Sequence, residues 1–147
     1  MSETTPPRGV TTDDAETFAG LIAPGRLIGI DAGTKTLGLA LSDTRRAIAS
    51  ALETIRRTKF TADAKRLLDL TQEHGVAGFV LGLPANMDGS EGPRCQSVRQ
   101  FAKNLLAMAD IDICFWDERL STVAAERARL PAPIAAKLSP PFYEFTA

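Results

Sequence analysis

Three acidic residues follow two mostly apolar segments of this 147-residue chain. Asp31 comes directly after residues 27–30, and Asp117 and Glu118 come directly after residues 111–116. Because ligands gather beyond the carboxyl ends of parallel strands, acids that end two such strands would meet at one edge of a sheet. Carboxylates that lie close together repel each other unless a cation intervenes, and all-oxygen ligation favours Mg²⁺ or Mn²⁺ over zinc. The pattern predicts a metal site suited to phosphodiester hydrolysis.

Each of these acids also has a purely structural interpretation. Asp31 is compatible with a turn in which backbone N–H groups satisfy its carboxylate. Asp117, Glu118 and Arg119 are compatible with a solvated strand end that forms a local ion pair. The functional interpretation is favoured because acids from two separate strands are predicted at the same edge, and because Gly33 lets a metal or phosphate approach the backbone closely.

Basic residues near the same predicted edge indicate a nucleic-acid ligand. Lys35, Arg94 and Arg119 are placed where they could hold phosphate groups. The loop at residues 86–92 precedes a helix, and a helix N-terminus with a glycine-rich approach favours phosphate binding. The alternative is a purely structural loop, in which Ser90 or Glu91 only caps the N-terminus of the helix. The charge run at residues 56–59 is interpreted as solvated surface that could extend the footprint.

Other catalytic chemistries find little support in the sequence. His74 is the sole histidine and ends a predicted helix, where it suits the helix dipole. Cys95 and Cys114 lack metal-ligand spacing and are predicted to be reduced, semi-buried thiols, with a disulfide or metal role as the less favoured alternative. The serines have no nearby base, which argues against covalent catalysis.

The elements that must position these residues form the order βββ-α-β-α-β-α. This order predicts an α/β fold with a mixed five-stranded sheet and helices on its faces. Apolar segments and helical spacing predict strands at residues 26–31, 36–42, 47–55, 76–81 and 111–116, and helices at 60–74, 94–108 and from Ser121 or Thr122 onwards.

Composition limits the class of protein. The hydrophobic fraction is 44% and the charged fraction 24%, ordinary for a soluble globular domain. No apolar run is long enough for a membrane span, and no signal pattern is present, so a cytoplasmic location is expected. The net charge of −1 combines −3 in residues 1–25 with +2 in residues 26–147. This charge distribution is compatible with a nucleic-acid partner but does not require one.

Three segments in this order resemble the YqgF/RuvX family: residues 29–38, 81–94 and 117–122. That family comprises RNase H-like bacterial proteins, described as Holliday junction resolvases and as nucleases that mature the 5′ end of pre-16S rRNA. The resemblance implies an RNase H-like fold, a cytoplasmic setting and metal-dependent phosphodiester cleavage. It places the family's first acid on Asp31 and its second on Glu118, with Asp117 beside Glu118. Asp31 and Glu118 are the predicted metal ligands, and Asp117 is predicted to be a catalytic residue that acts as an auxiliary ligand or orients the site.

The C-terminus departs from the family pattern. The resemblance implies a last helix with a further Asp in an Asp-x-x-Ala-Ala setting, yet residues 127–143 contain no acid and residues 130–147 contain four prolines. Glu126, Asp88 and Asp43 are the candidate substitutes. We therefore predict a flexible acidic tail at residues 1–25, an RNase H-like nuclease domain at 26–130 and an atypical Pro-rich segment at 131–147.

The predicted function is a metal-dependent nuclease, most simply one that matures the 5′ end of pre-16S rRNA during ribosome biogenesis. The alternatives are a Holliday junction resolvase in DNA recombination and repair, or a catalytically impaired RNA- or ribosome-binding protein. Expected partners are pre-rRNA or branched DNA and a ribosomal subunit precursor, without a membrane. The protein is expected to be a monomer or a homodimer. A sugar-kinase or actin-like phosphate loop at residues 31–34 is disfavoured because such enzymes need two domains.

Overall fold

The computed structural model describes residues 9–13, 18, 24–45, 49–84, 86 and 88–117. The predicted third helix and the Pro-rich segment lie outside these residues, so the domain boundaries stay predictions. The described ranges contain β1 (Thr11–Thr12), β2 (Arg26–Ala32), β3 (Thr36–Ser42), β4 (Ala49–Arg56), α1 (Phe60–His74), β5 (Val76–Leu83), α2 (Pro93–Leu106) and β6 (Asp112–Asp117).

The strands form one mixed sheet in the order β1-β6-β5-β2-β3-β4. The antiparallel part is β2–β3–β4, and β5, β6 and β1 add in parallel on the other side of β2. The predicted mixed α/β sheet is confirmed. The predicted count of five strands is wrong, because a sixth strand comes from the segment that the sequence assigned to a flexible tail.

The sixth strand, β1, is held by main-chain pairing with β6 and by one hydrogen bond to an Asp112 side-chain oxygen. Thr11 pairs with Ile113 and Thr12 with Cys114. The Ile113 N–H donates to the Val10 carbonyl at 2.9 Å, and the Val10 N–H donates to Asp112 Oδ1 at 3.1 Å. A two-residue strand of threonines carries no apolar alternation, so the local sequence gave no signal for this pairing.

Both faces of the sheet are covered. We call the face on which α1 and α2 pack the helix face, and the other the opposite face. Alternate residues of the central strands point to the helix face, where they meet Leu67 of α1 and Phe101 of α2; they include Ile28, Ile30, Phe79, Leu81, Ile113 and Phe115. On the opposite face the fully buried ring of Phe18 packs over Gly78.

The ends and interior of these elements match several further predictions. Gly75 ends α1 with a positive φ of 64°, a conformation that glycine adopts without strain. Cys95 and Cys114 are free thiols, but they are fully buried and not semi-buried as predicted. Among the described residues, neither helix has the length and apolarity that crossing a bilayer would need.

Candidate active site

Asp31 lies near the carboxyl end of β2, in the middle of the sheet, and only 8% of it is exposed. Its antiparallel partner in β3 is Gly38. On the other side, Ile30 pairs with Leu81, so the next position of β5 in line with Asp31 is Gly82. Residues that are in register point to the same face of a sheet. Asp31 is therefore flanked by two residues without a side chain, which leaves room for a ligand beside the carboxylate.

Asp117 ends β6 and lies on the other side of the sheet from Asp31. Leu81 pairs with Phe115, and Leu83 pairs with Asp117, so Asp117 shares the helix face with these core residues. Hydrogen bonds from Arg99 lower the pKa of Glu91, in the loop before α2, and the charge of Asp117 is a minor opposing effect. The structure thus brings Asp31 and Asp117 to one edge of the sheet but not to one face.

The two remaining predicted residues of this segment, Glu118 and Arg119, lie outside the described residues. Glu118 therefore stays the predicted second ligand. Within the described ranges, no three Asp, Glu, His or Cys side chains form a group that could hold a metal ion.

The structure separates the candidates for a third acid. Asp43 follows β3, whose Leu41 pairs with Ile28, so Asp43 lies near the start of β2, about 16 Å along the strand from Asp31. The suggestion that Asp43 substitutes for the missing acid is therefore wrong. Asp88 does lie in the loop after β5, where its Oδ1 accepts bonds from the Ser90 N–H at 2.9 Å and the Ser90 hydroxyl at 2.6 Å. Glu126 is outside the described residues.

The loop before α2 is closed by its own hydrogen bonds. Asn86 donates from Nδ2 to Ser90 Oγ at 3.0 Å, and the Asn86 N–H donates to the Ser90 carbonyl at 2.9 Å. The N-cap of α2 is Gly92, and no side chain caps the helix. The expectation that Ser90 or Glu91 caps this helix is wrong, because Ser90 bonds within the loop and Glu91 bonds to Arg99.

Arg99 of α2 joins three parts of the chain. Its guanidinium donates to both oxygens of Glu91 at 2.7 Å and to both oxygens of Asp13 at 3.0 Å. It also lies 4.7 Å from the centroid of the Phe115 ring. Hydrogen bonds from Arg99 hold the pKa of Glu91 below its ordinary value. We call this arrangement of Asp13, Glu91, Arg99 and Phe115 the Arg99 clasp.

The two described basic residues that were predicted to bind nucleic acid lie near the carboxyl end of β2. Lys35 is exposed in the β2–β3 turn, and Arg94 is exposed in the first turn of α2. Between that turn and α2 lies a cavity of about 410 Å³. It is lined by Ala32, Gly33, Thr34, Arg57, Thr58, Arg94, Ser97, Val98 and Phe101.

Arg57 is the residue of this region that sequence reasoning did not single out. The sequence presented it as one charge in a run with Arg56 and Lys59. Side-chain alternation distinguishes the two arginines, because Ile55 of β4 packs into the core and Arg57 is the next residue with the same orientation. This alternation of side chains along β4 was the sequence signal that could have identified Arg57.

A comparison with known protein families identifies the family to which this chain is similar. A family model described as "RuvX: Holliday junction resolvase" matches residues 25–139. The chain belongs to the RuvX family. This confirms the resemblance carried by the three motifs, and the sheet described above is the RNase H-like fold that the resemblance implied.

Relatives within the RuvX family are close in sequence. A protein of Paracoccus denitrificans (strain Pd 1222) is 57% identical over 126 residues, which cover 85% of this chain and 80% of the relative. A protein of Cereibacter sphaeroides (strain ATCC 17025 / ATH 2.4.3) is 59% identical over 122 residues, 83% of this chain and 76% of the relative. Both carry the name "Putative pre-16S rRNA nuclease".

Solved structures resemble the chain more distantly. The Thermus thermophilus RuvC structure superposes with a TM-score of 0.49 at 13% identity, over 77% of this chain and 89% of that one. The large terminase nuclease from thermophilic phage G20c gives a TM-score of 0.48 at 17% identity, over 77% of this chain and 53% of that one.

Proposed function

We propose that this RuvX-family protein is a cytoplasmic, Mg²⁺- or Mn²⁺-dependent nuclease that matures the 5′ end of pre-16S rRNA during ribosome biogenesis. The observation that carries the proposal is the position of Asp31, on the central strand between Gly38 and Gly82. Membership of the family and the names of relatives above 55% identity support the substrate.

The donor chemistry at Asp31 fits a hard divalent cation. A carboxylate near the end of a central strand, with no side chain on either neighbouring position, leaves room beside it for an ion and a phosphate. Asp31 and Glu118 would hold the ion, which when bound supplies activation of water and stabilisation of the leaving oxygen. Lys35, Arg94 and Arg119 would orient the phosphates of the substrate.

In this proposal Asp117 has a positioning role. Its side chain lies on the helix face, away from Asp31. It would fix the end of β6, and so the direction in which Glu118 leaves the strand. A role of this kind acts on rate through the geometry of the neighbouring ligand and not through direct metal contact.

Cleavage of labelled substrates tests the proposal. The parent, Asp31→Asn and a matched control, Asp69→Asn on the exposed side of α1, are incubated with a pre-16S rRNA 5′ segment in Mn²⁺, Mg²⁺ or EDTA. We expect metal-dependent cleavage by the parent and the control and none by Asp31→Asn. Cleavage that persists in EDTA or in Asp31→Asn would contradict the proposal.

A second candidate function is resolution of Holliday junctions, which the description of the matching family model favours. Including a four-way DNA junction as a substrate in the same experiment distinguishes rRNA maturation from junction resolution. Preferential, symmetric cutting of the junction by a two-fold dimer would support resolution. A parent that binds RNA and cuts neither substrate would support a catalytically impaired RNA- or ribosome-binding protein.

A further inference from the structure

We propose that the cavity between the β2–β3 turn and α2 binds a backbone phosphate of the nucleic acid. We call it the phosphate cleft and define it by Gly33, Arg57, Thr58, Arg94 and Ser97. The inference rests on the proposed function, because it names a second contact for the strand on which Asp31 would act.

The first argument is charge. Two guanidinium groups, those of Arg57 and Arg94, line the cleft, and no acidic residue is among its described lining residues. Two other arginines are paired with acids instead: Arg66 reaches Glu53 at 2.7 Å, and Arg99 reaches Glu91 at 2.7 Å. Two cations in a cleft without a described acid favour an anionic ligand.

The second argument is that Arg57 is held in place before any ligand arrives. Its N–H donates to the Lys35 carbonyl at 2.8 Å, and its Nη1 donates to the Gly33 carbonyl at 2.5 Å. Its guanidinium lies 5.4 Å from the centroid of the Phe101 ring, which packs edge-on against Phe60 at 5.6 Å. Because one carbonyl uses only part of a group with five N–H donors, the remaining donors can bind phosphate without further ordering.

The third argument concerns α2. Arg94, Ser97 and Phe101 share one face of this helix at spacings of three and four residues. Arg94 stands in the first turn, which contains no acidic residue, and Gly92 caps the helix without a side-chain hydrogen bond. A cation in the first turn opposes the helix dipole, so Arg94 brings no benefit to the helix itself. An anion in the cleft would offset this cost.

The position of the cleft ties it to Asp31. Ala32 and Gly33 line the cleft and directly follow Asp31 in the chain. The cleft opens towards α2, whereas the Asp31 carboxylate lies on the opposite face. A strand that crosses the β2–β3 turn could therefore present one phosphate at Asp31 and a nearby phosphate in the cleft. A volume of about 410 Å³ also leaves room for part of the sugar.

Equilibrium binding in EDTA tests the cleft without requiring catalysis. We compare the parent, Arg94→Gln and the control Lys65→Gln, which removes one positive charge from an exposed position of α1 outside the cleft. The ligand is a single-stranded pre-16S rRNA segment, titrated over a range of salt concentrations. Losing one phosphate contact should reduce the slope of log K against log salt by about 0.7 and weaken binding about fourfold near 0.15 M salt.

We expect this change in Arg94→Gln and not in Lys65→Gln, with melting temperatures equal to the parent. Equal slopes in all three proteins would overturn the proposal. A second arm titrates inorganic phosphate and adenosine monophosphate: tight binding of either that Arg94→Gln abolishes, with unchanged RNA slopes, would assign the cleft to a free metabolite and also overturn it. An altered slope without cleavage by the parent would reject the proposed function and retain the cleft.

Discussion

Asp31 and Asp117 lie at the same edge of the sheet but on opposite faces. Asp31 is in line with Gly82, whereas Asp117 pairs with the next residue of β5, Leu83. Because one step along a strand moves a side chain to the other face, these two carboxylates belong to different environments. Asp31 lies on the opposite face, in line with Gly38 and Gly82, and Asp117 lies on the helix face.

Substitutions of Asp31, Glu118 and Asp117 should therefore differ in their effects on cleavage and on metal binding. We expect Asp31→Asn and Glu118→Gln each to abolish metal-dependent cleavage and to weaken Mn²⁺ binding, because each removes a ligand. Asp117→Asn should lower the cleavage rate by about tenfold and leave Mn²⁺ affinity nearly unchanged, as expected of a positioning residue. Mn²⁺ titration by electron paramagnetic resonance, together with cleavage rates, measures this. Loss of Mn²⁺ binding in Asp117→Asn would contradict the assignment of faces.

The Arg99 clasp should contribute measurably to stability. Arg99→Lys keeps the charge but loses the planar fork that bonds Glu91 and Asp13 and lies over Phe115. We expect the free energy of unfolding to fall by about 1 kcal/mol, a modest value because Asp13 is largely exposed. Arg94→Lys on the same helix is the control and should change it by less than about 0.5 kcal/mol. Equal urea midpoints for the two variants would contradict the clasp.

The contact between Phe18 and Gly78 makes a prediction about packing on the opposite face. A Cβ at position 78 would lie 2.8 Å from the Phe18 ring and 3.0 Å from the Asp112 carbonyl oxygen. We expect Gly78→Ala to destabilise the protein by about 1–3 kcal/mol through overpacking. Phe18→Leu should relieve part of that cost in the double variant, which a thermodynamic cycle of urea unfolding measures. Purely additive effects would show that the ring does not limit this position.

Stability should depend on pH through Glu53. Hydrogen bonds from Arg66 hold the pKa of Glu53 below its ordinary value of 4.5, against the opposing effect of partial burial. A carboxyl with a lowered pKa in the folded state binds fewer protons there, so its contribution is complete above pH 4.5 and is lost as the pH falls through the folded-state pKa. Glu53→Gln should make the melting temperature fall less steeply below about pH 5 than in the parent.

Arg66→Gln provides the matched test of this pH dependence, since it removes the partner that lowers the pKa of Glu53. The melting temperature of Arg66→Gln should fall with decreasing pH as gradually as that of Glu53→Gln. An unchanged slope in both variants would show that the ion pair contributes nothing to acid stability.

The sequence by itself determined the order and type of the main elements. Helical spacing identified α1 and α2, apolar segments identified β2, β3 and β5, and Gly75 marked a helix end. These signals are local, because side-chain periodicity and turn residues act within one element. The three motifs likewise identified the family, and Asp31 was found because it ends the first long apolar strand.

Only the tertiary structure decided which residues share a face, an edge or a cleft. The central strands are buried on both sides, so an apolar run such as residues 27–30 cannot reveal which face is which. The register between the strands places Asp43 near the start of β2, at the other end of the strands from Asp31. It also places Asp31 and Asp117 on different faces of the sheet. Residues far apart in the chain meet where β1 pairs with β6: the Val10 N–H donates to the side chain of Asp112, 102 residues away. The pairing of the two strands itself depends on main-chain hydrogen bonds that any sequence can form, and side-chain patterns therefore do not encode it.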